Sequence, residues 1–286
     1  PGGSEPHPVY LPAPGELEPE DVYVPAGWFW SGGDPLAYSE LPRRRIWVDP
    51  FVLRRHPVTC GRYLEFLDTL VAQGREADAL QWAPQERAGR RGARGALIFA
   101  PDESGRFQMM PTSEGIRFQP DWPVMMVDWP CAVAYAAWEA TRTGLPWRLP
   151  VEAEWEKAAR GVDGRYFPWG NFADPTWACM GQSRSGIQLP SPVDQFPIDE
   201  SVYGVRGMAG NIRDWCRDIF RSAGPLQDDG GIAMLLEEAG HVRVGRTSRG
   251  GTWDGGLRLL RVTQRFNSLP GFRNGNLGFR LARTFT

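Results

Sequence analysis

The sequence predicts an α+β domain with two or three short helices, few long strands and abundant ordered loop. Three observations lead there. The 286 residues include 34 Gly, 26 Pro and 13 Trp without any repeat, and 42% of them are apolar, which implies many turns on a compact body. Helical spacing of apolar residues is confined to the region between positions 56 and 161. From residue 162 onward that periodicity fades into turns, tryptophans and short runs, apart from a helical hint near Gly231 to Ala239.

Residues 1–20, PGGSEPHPVYLPAPGELEPE, are dominated by proline, glycine and acids, so they read as a linker or extended arm. The domain proper is expected at 21–286. Residues 21–31 and 45–53 are rich in valine and aromatics and read as strands. From His56 to Gly74, Tyr63, Phe66, Leu67 and Leu70 fall at helical spacing, with Thr59 as cap and Gly74 as stop. Residues 84–121 are polar and Arg/Gly-rich, a long insertion with one or two short strands. Trp129 to Gly144 is a second helix with Pro130 in its first turn, and Ala132, Tyr135, Ala136 and Glu139 share one face. Pro150 to Gly161 is a short third helix, its Glu152, Glu154 and Glu156 near the positive end of the dipole. Leu277 to Thr284 reads as a strand.

Composition narrows function. Thirty-two basic and 34 acidic residues leave a net charge of −2, which offers no general attraction to nucleic acid or an anionic membrane. No stretch is long and apolar enough to span a bilayer, and no signal peptide is visible. Lys157 is the lone lysine among the 32 basic residues. Arginine bias of this kind fits a GC-rich genome, with heat adaptation as the second reading. Cys60, Cys131, Cys179 and Cys216 are widely spaced and read as buried thiols rather than a metal or redox pair.

Several phrases occur in a telling order. Trp122–Pro123–Val124 and Val127–Asp128–Trp129 precede the second helix. Trp147–Arg148–Leu149–Pro150 runs into Glu152–Ala153–Glu154–Trp155–Glu156. Phe167–Pro168–Trp169–Gly170, Gly207–Met208–Ala209–Gly210–Asn211, Asp214–Trp215, Arg249–Gly250–Gly251–Thr252–Trp253 and Leu277–Gly278–Phe279–Arg280–Leu281 follow. In this register the chain, over residues 20–284, resembles the formylglycine-generating enzyme (sulfatase-modifying factor) family. The resemblance implies a variant of the C-type lectin fold with small twisted antiparallel sheets.

The family's oxidases carry two reactive, copper-holding cysteines five apart, just after the Arg-Gly-Gly phrase. Here residues 249–260 hold no cysteine, so the soft ligand and the sulfur redox couple are missing. Related sulfoxide synthases use an iron site built from histidines. This chain has only His7, His56 and His241, in no HxxxH or HxE arrangement, and His56 reads as a helix-entry residue. Members of the family also bind calcium near the Gly-Asn phrase. Asp214 would fit, but Gly207 and Cys179 stand where oxygen donors are usual, and calcium needs six or more oxygens. The expectation is therefore no catalytic residue, no metal and no cofactor.

Residues 249–280 further resemble the variable region of diversity-generating retroelement variable proteins. Framework residues Arg249, Gly250, Gly251, Trp253, Arg261, Val262, Arg265, Pro270, Arg273, Leu277, Gly278 and Phe279 match. Between them stand oddly assorted slots. Counted with Trp253, they make up the expected ligand-binding set: Asp254, Gly255, Gly256, Arg258, Leu260, Thr263, Gln264, Phe266, Asn267, Ser268, Leu269, Gly271, Phe272, Asn274, Gly275 and Asn276. In such systems a reverse transcriptase copies a template with errors at adenines, so only surface side chains change. The implied function is non-catalytic ligand display by a monomer, with a protein or other macromolecule of variable identity as partner. Two other readings stand beside it. One is an accessory domain of a larger protein with a fixed ligand, and the other is an oxygen-dependent enzyme of the family's type.

Overall fold

The computed structural model describes residues 10–39, 41–88, 93–224, 227–228, 231–232 and 244–285. The first half contains β1 (Asp21–Val24), β2 (Gly27–Ser31), β3 (Arg44–Val48), β4 (Phe51–Arg54), α1 (Cys60–Ala72), α2 (Glu76–Trp82), β5 (Gln85–Ala88), β6 (Ala93–Leu97), β7 (Phe99–Pro101), β8 (Phe107–Met109) and α3 (Trp129–Thr143). The second half contains α4 (Glu152–Arg160), β9 (Arg213–Ile219), β10 (Gln227–Asp228), β11 (Gly231–Ile232), β12 (Arg246–Arg249), a 3-10 turn at Leu257–Leu260, β13 (Arg265–Ser268), β14 (Leu277–Gly278) and β15 (Ala282–Thr284). Long ordered loops separate these short elements, as the glycine and proline content requires.

Two sheets organise the body. One has the order β1-β4-β15, all antiparallel, so the first and last strands flank β4. The other has the order β13-β12-β9-β14, in which β14 alone runs parallel to its neighbour. The remaining strands form the two-stranded pairs β2–β3, β5–β6, β7–β8 and β10–β11.

Local chemistry sets the helix ends. The Thr59 side chain caps α1 by accepting from the Arg62 amide, and Asp128 caps α3 by accepting from Cys131 N at 3.1 Å. Gly144 ends α3 in the left-handed region at φ 71°. One core gathers around α1 and α3, where Tyr63 stacks on Tyr135 at 5.5 Å and Phe279 meets both edge-on. A second core packs Trp155 of α4 against Val24, Phe29, Phe51 and Leu53.

The structure corrects three expectations. There are four α-helices among the described residues, because a turn after Gly74 starts α2, whose Ala79 is fully buried. The 84–121 insertion carries two hairpins, β5–β6 and β7–β8, rather than one or two strands. Leu277 to Thr284 is not one strand: the chain leaves the second sheet after Gly278 and enters the first at Ala282, and between them Arg280 is fully buried. The segment at 10–20 is largely exposed and touches the body at points, Tyr10 meeting Phe285 at 5.6 Å and Glu18 pairing with Arg54 at 3.0 Å. The helical hint at 231–239 falls outside the described residues beyond Ile232, and Gly231–Ile232 is a strand.

The charged residues of α4 are buried along its whole length. Its three glutamates do more than meet the dipole. Glu152 pairs with Arg265, Glu154 with Arg148, and Glu156 with both Arg160 and Arg249, at 2.7–2.9 Å. Lys157 donates to the carbonyls of Pro25, Gly27 and Val48, and burial lowers its pKa to about 8.

Candidate ligand-binding face

Five arginines of the 249–280 segment each reach a different carboxylate of the body, two of them on α4. Arg249 pairs with Glu156 at 2.8 Å, Arg265 with Glu152 at 2.9 Å, Arg273 with Asp128 at 3.0 Å, Arg280 with Asp214 at 2.6 Å, and Arg261 with Asp34. All ten partners are buried. The planar guanidinium also supplies backbone contacts: Arg273 donates to Ala83 O at 2.7 Å, and Arg280 to Arg206 O and Gly207 O. The segment is therefore fastened at intervals, and the residues between fastenings are held on a rigid support.

The expected slots divide by exposure. Asp254, Gly256, Arg258, Asn267, Leu269 and Gly271 are exposed, Leu269 at 59%. Trp253, Phe266, Phe272, Asn274, Gly275 and Asn276 are half-buried. Phe266 lies under the Arg213 guanidinium at 3.4 Å and Phe272 under that of Arg87 at 4.7 Å. Both rings are half-buried, and Phe272 packs against the first core.

Five expected slots do not reach the surface. Leu260 is fully buried against Phe167, Ala178, Met180 and Ala209, because the 3-10 turn points it inward. Gln264 is spent on residue 38, accepting from Tyr38 N at 2.8 Å and donating to Tyr38 O at 3.0 Å. Thr263 is 1% exposed, beside Asp34. Ser268 is buried, with its Oγ 3.4 Å from that of Ser248. Gly255 is buried, and its carbonyl accepts from Gly181 N at 2.8 Å. Their side chains have no surface to offer a ligand.

The two ends of the segment meet. Trp253 Nε1 donates to Gly275 O at 2.7 Å, and Asn276 Nδ2 lies 3.3 Å from the Asp254 carboxylate. Beneath them sits Arg213, whose pKa burial lowers to about 10 with the Asp254 charge opposing. Beside Trp253 and Gly275 opens a cleft of about 240 Å³, floored by Phe118, Met125 and Met126 and walled by Ile116, Leu189 and Pro190. Glu86, Arg87 and Glu114 stand at its polar side. Met126 has φ +58°, a conformation costing on the order of 1 kcal/mol outside glycine, and is held there by Met126 N to Asn274 O at 3.1 Å. Arg258 belongs to a second depression, with Leu36, Ala173 and Leu257, and stacks on Tyr38 at 4.1 Å.

Sequence reasoning missed the insertion and the 116–126 and 189–190 loops as walls of this cleft. The one available signal was the position of the Trp-Pro-Val and Val-Asp-Trp phrases around Met125–Met126.

The thiols and the described histidine are buried or engaged. All four cysteines are buried and unpaired. Burial raises every one of their pKa values, that of Cys131 to about 12, so each is a neutral thiol. His56 is paired with Glu20 at 2.8 Å, and burial lowers its pKa. His7 and His241 lie outside the described residues. The calcium donors do not fit a cation. Asp214 already holds Arg280 and accepts from Trp155 Nε1 at 2.8 Å, the Gly207 carbonyl accepts from Arg280, and Cys179 Sγ contacts Ser191 Oγ at 3.0 Å. Asp214 and the Gly207 carbonyl are thus already engaged by a guanidinium, and the Cys179 side chain offers no oxygen.

Comparison with known proteins agrees with this architecture. The sulfatase-modifying factor enzyme 1-like domain matches residues 8–285. The chain is 31% identical to the inactive C-alpha-formylglycine-generating enzyme 2 of Mus musculus, covering 85% of this chain and 78% of that one. It is 28% identical to the formylglycine-generating enzyme of Thermomonospora curvata, covering 94% and 95%. The solved structure of Treponema denticola variable protein 1 shares the fold at a TM-score of 0.65 and 20% identity, covering 97% of this chain and 99% of that one.

Proposed function

The chain belongs to the sulfatase-modifying factor family, and within it we propose that this protein displays a ligand-binding surface and performs no catalysis. Its surface residues between 253 and 276 vary through a retroelement, while the fastening arginines stay fixed. One observation carries the reading: buried arginine–carboxylate pairs alternate with exposed, chemically mixed side chains along a single segment. Such an arrangement separates folding from recognition. A partner meets a surface already ordered, so binding does not have to offset the freezing of loops. Trp253, Phe266 and Phe272 beside Arg258, Asn267 and Asn274 give the aromatic and polar mixture of recognition surfaces. The shared fold with a variable protein and the resemblance to an inactive family member support the same reading.

A library tests it. Simultaneous randomisation of Asp254, Arg258, Asn267, Leu269, Asn274 and Asn276 is expected to leave most members folded, with melting points within a few degrees of the parent. Loss of folding in most members would defeat the proposal.

A further inference from the structure

We propose that the cleft beside Gly275 receives one large apolar side chain of a protein partner, and that residue 275 sets how deep that side chain can enter. The inference rests on the display reading and names the partner's contact chemistry. The cleft holds about 240 Å³, below the roughly 300–1,000 Å³ of sites that bury a drug-sized ligand. It suits a single side chain better than a cofactor. Its floor is made by Phe118 and Met125, 5% and 0% exposed, together with Met126. Methionine thioethers adapt to the shape of an inserted group. Polar groups lie only along the side formed by the insertion, where the lining has two carboxylates, Glu86 and Glu114, against one guanidinium, Arg87, that lies over Phe272. That balance favours a partner with a basic residue flanking its apolar anchor.

Gly275 controls the opening. A Cβ placed there would stand 3.2 Å from the terminal methyl of Met126, and its φ is not in the left-handed region. Larger residues therefore fit the backbone but intrude on the cleft. Everything else in the lining except Trp253 lies outside the 253–276 segment. One changing position thus tunes a pocket whose remaining walls are constant, and an anchor side chain buried in such a pocket is where binding energy concentrates at protein interfaces.

The test is selection of random twelve-residue peptides, displayed on phage, against the full chain. Peptides selected on the parent are expected to share one Phe, Trp, Leu or Met. Their affinity is expected to fall at least tenfold in Gly275→Leu and by less in Gly275→Ala, with unchanged melting points. The Gly275→Ala variant, whose added methyl needs only a shift of Met126, keeps the test valid if the leucine variant folds poorly. Peptides that bind the parent without a shared apolar residue, or bind both variants equally, overturn the cleft assignment and leave the display reading standing. Recovery of no peptide from the parent counts against the display reading itself, and the cleft assignment falls with it.

Discussion

Replacing Arg265 by alanine should cost far more stability than replacing Leu269, four residues along the same segment. Arg265 is 2% exposed and donates twice to Glu152 at 2.9 Å and once to Arg221 O at 3.0 Å. Its guanidinium also covers Phe220 at 4.7 Å. Its removal leaves the Glu152 carboxylate buried and unpaired, beside Asp218, and breaking such a pair costs about 3–5 kcal/mol. For a chain of this size each kcal/mol shifts the melting point by roughly 2–4 °C, so the expected loss is on the order of 10 °C. Leu269 is 59% exposed, and its truncation should stay within about 0.5 kcal/mol. The double variant Arg265→Met/Glu152→Gln should recover part of the loss, since the stranded charge is gone. Urea unfolding followed by far-ultraviolet circular dichroism reads all of these. An Arg265→Ala cost below about 1 kcal/mol, or equal costs at the two positions, would refute the division into fastenings and displayed residues.

Two further outcomes follow from the burial of titratable groups. Burial, reinforced by the Glu152 carboxylate, raises the pKa of Asp218 to about 7, whereas an unfolded aspartate titrates near ~3.9. The protonated form is therefore favoured by folding, and its stabilisation is full below about pH 4 and lost as pH rises through about 7. The Asp218→Asn variant should gain stability over the parent between pH 5 and pH 8; urea midpoints that move in parallel would contradict the assignment. The four buried thiols should not react with dithionitrobenzoate in the native state and should all react after unfolding. Rapid native labelling of any one would show a thiol the structure does not expose.

Much of the fold was legible in the sequence because it rests on local signals. Thr59, Pro130 and Gly144 mark helix ends by chemistry that acts within a few residues. The framework arginines were legible as a pattern, but their partners were not, since Arg265 finds Glu152 from 113 residues away. Which slots face outward was likewise hidden. Leu260 and Gln264 read as scattered residues in a row of scattered residues, and only the 3-10 turn and the contact with Tyr38 turn them inward. The break between β14 and β15 has no local signature, because an apolar run looks alike whether it serves one sheet or two. The cleft wall formed by Ile116, Leu189 and Pro190 depends on long-range packing that no local pattern encodes.

The most direct measurement is deep sequencing of the 3′ end of this gene, and of the few kilobases beside it, in a growing population. The proposal expects changes gathered at the exposed and half-buried positions from Asp254 to Asn276, none at the codons of Arg249, Arg261, Arg265, Arg273 and Arg280, and a nearby imperfect repeat differing at adenines next to a reverse transcriptase gene. A uniform 3′ end without a repeat would contradict it and leave residues 253–276 as a fixed surface.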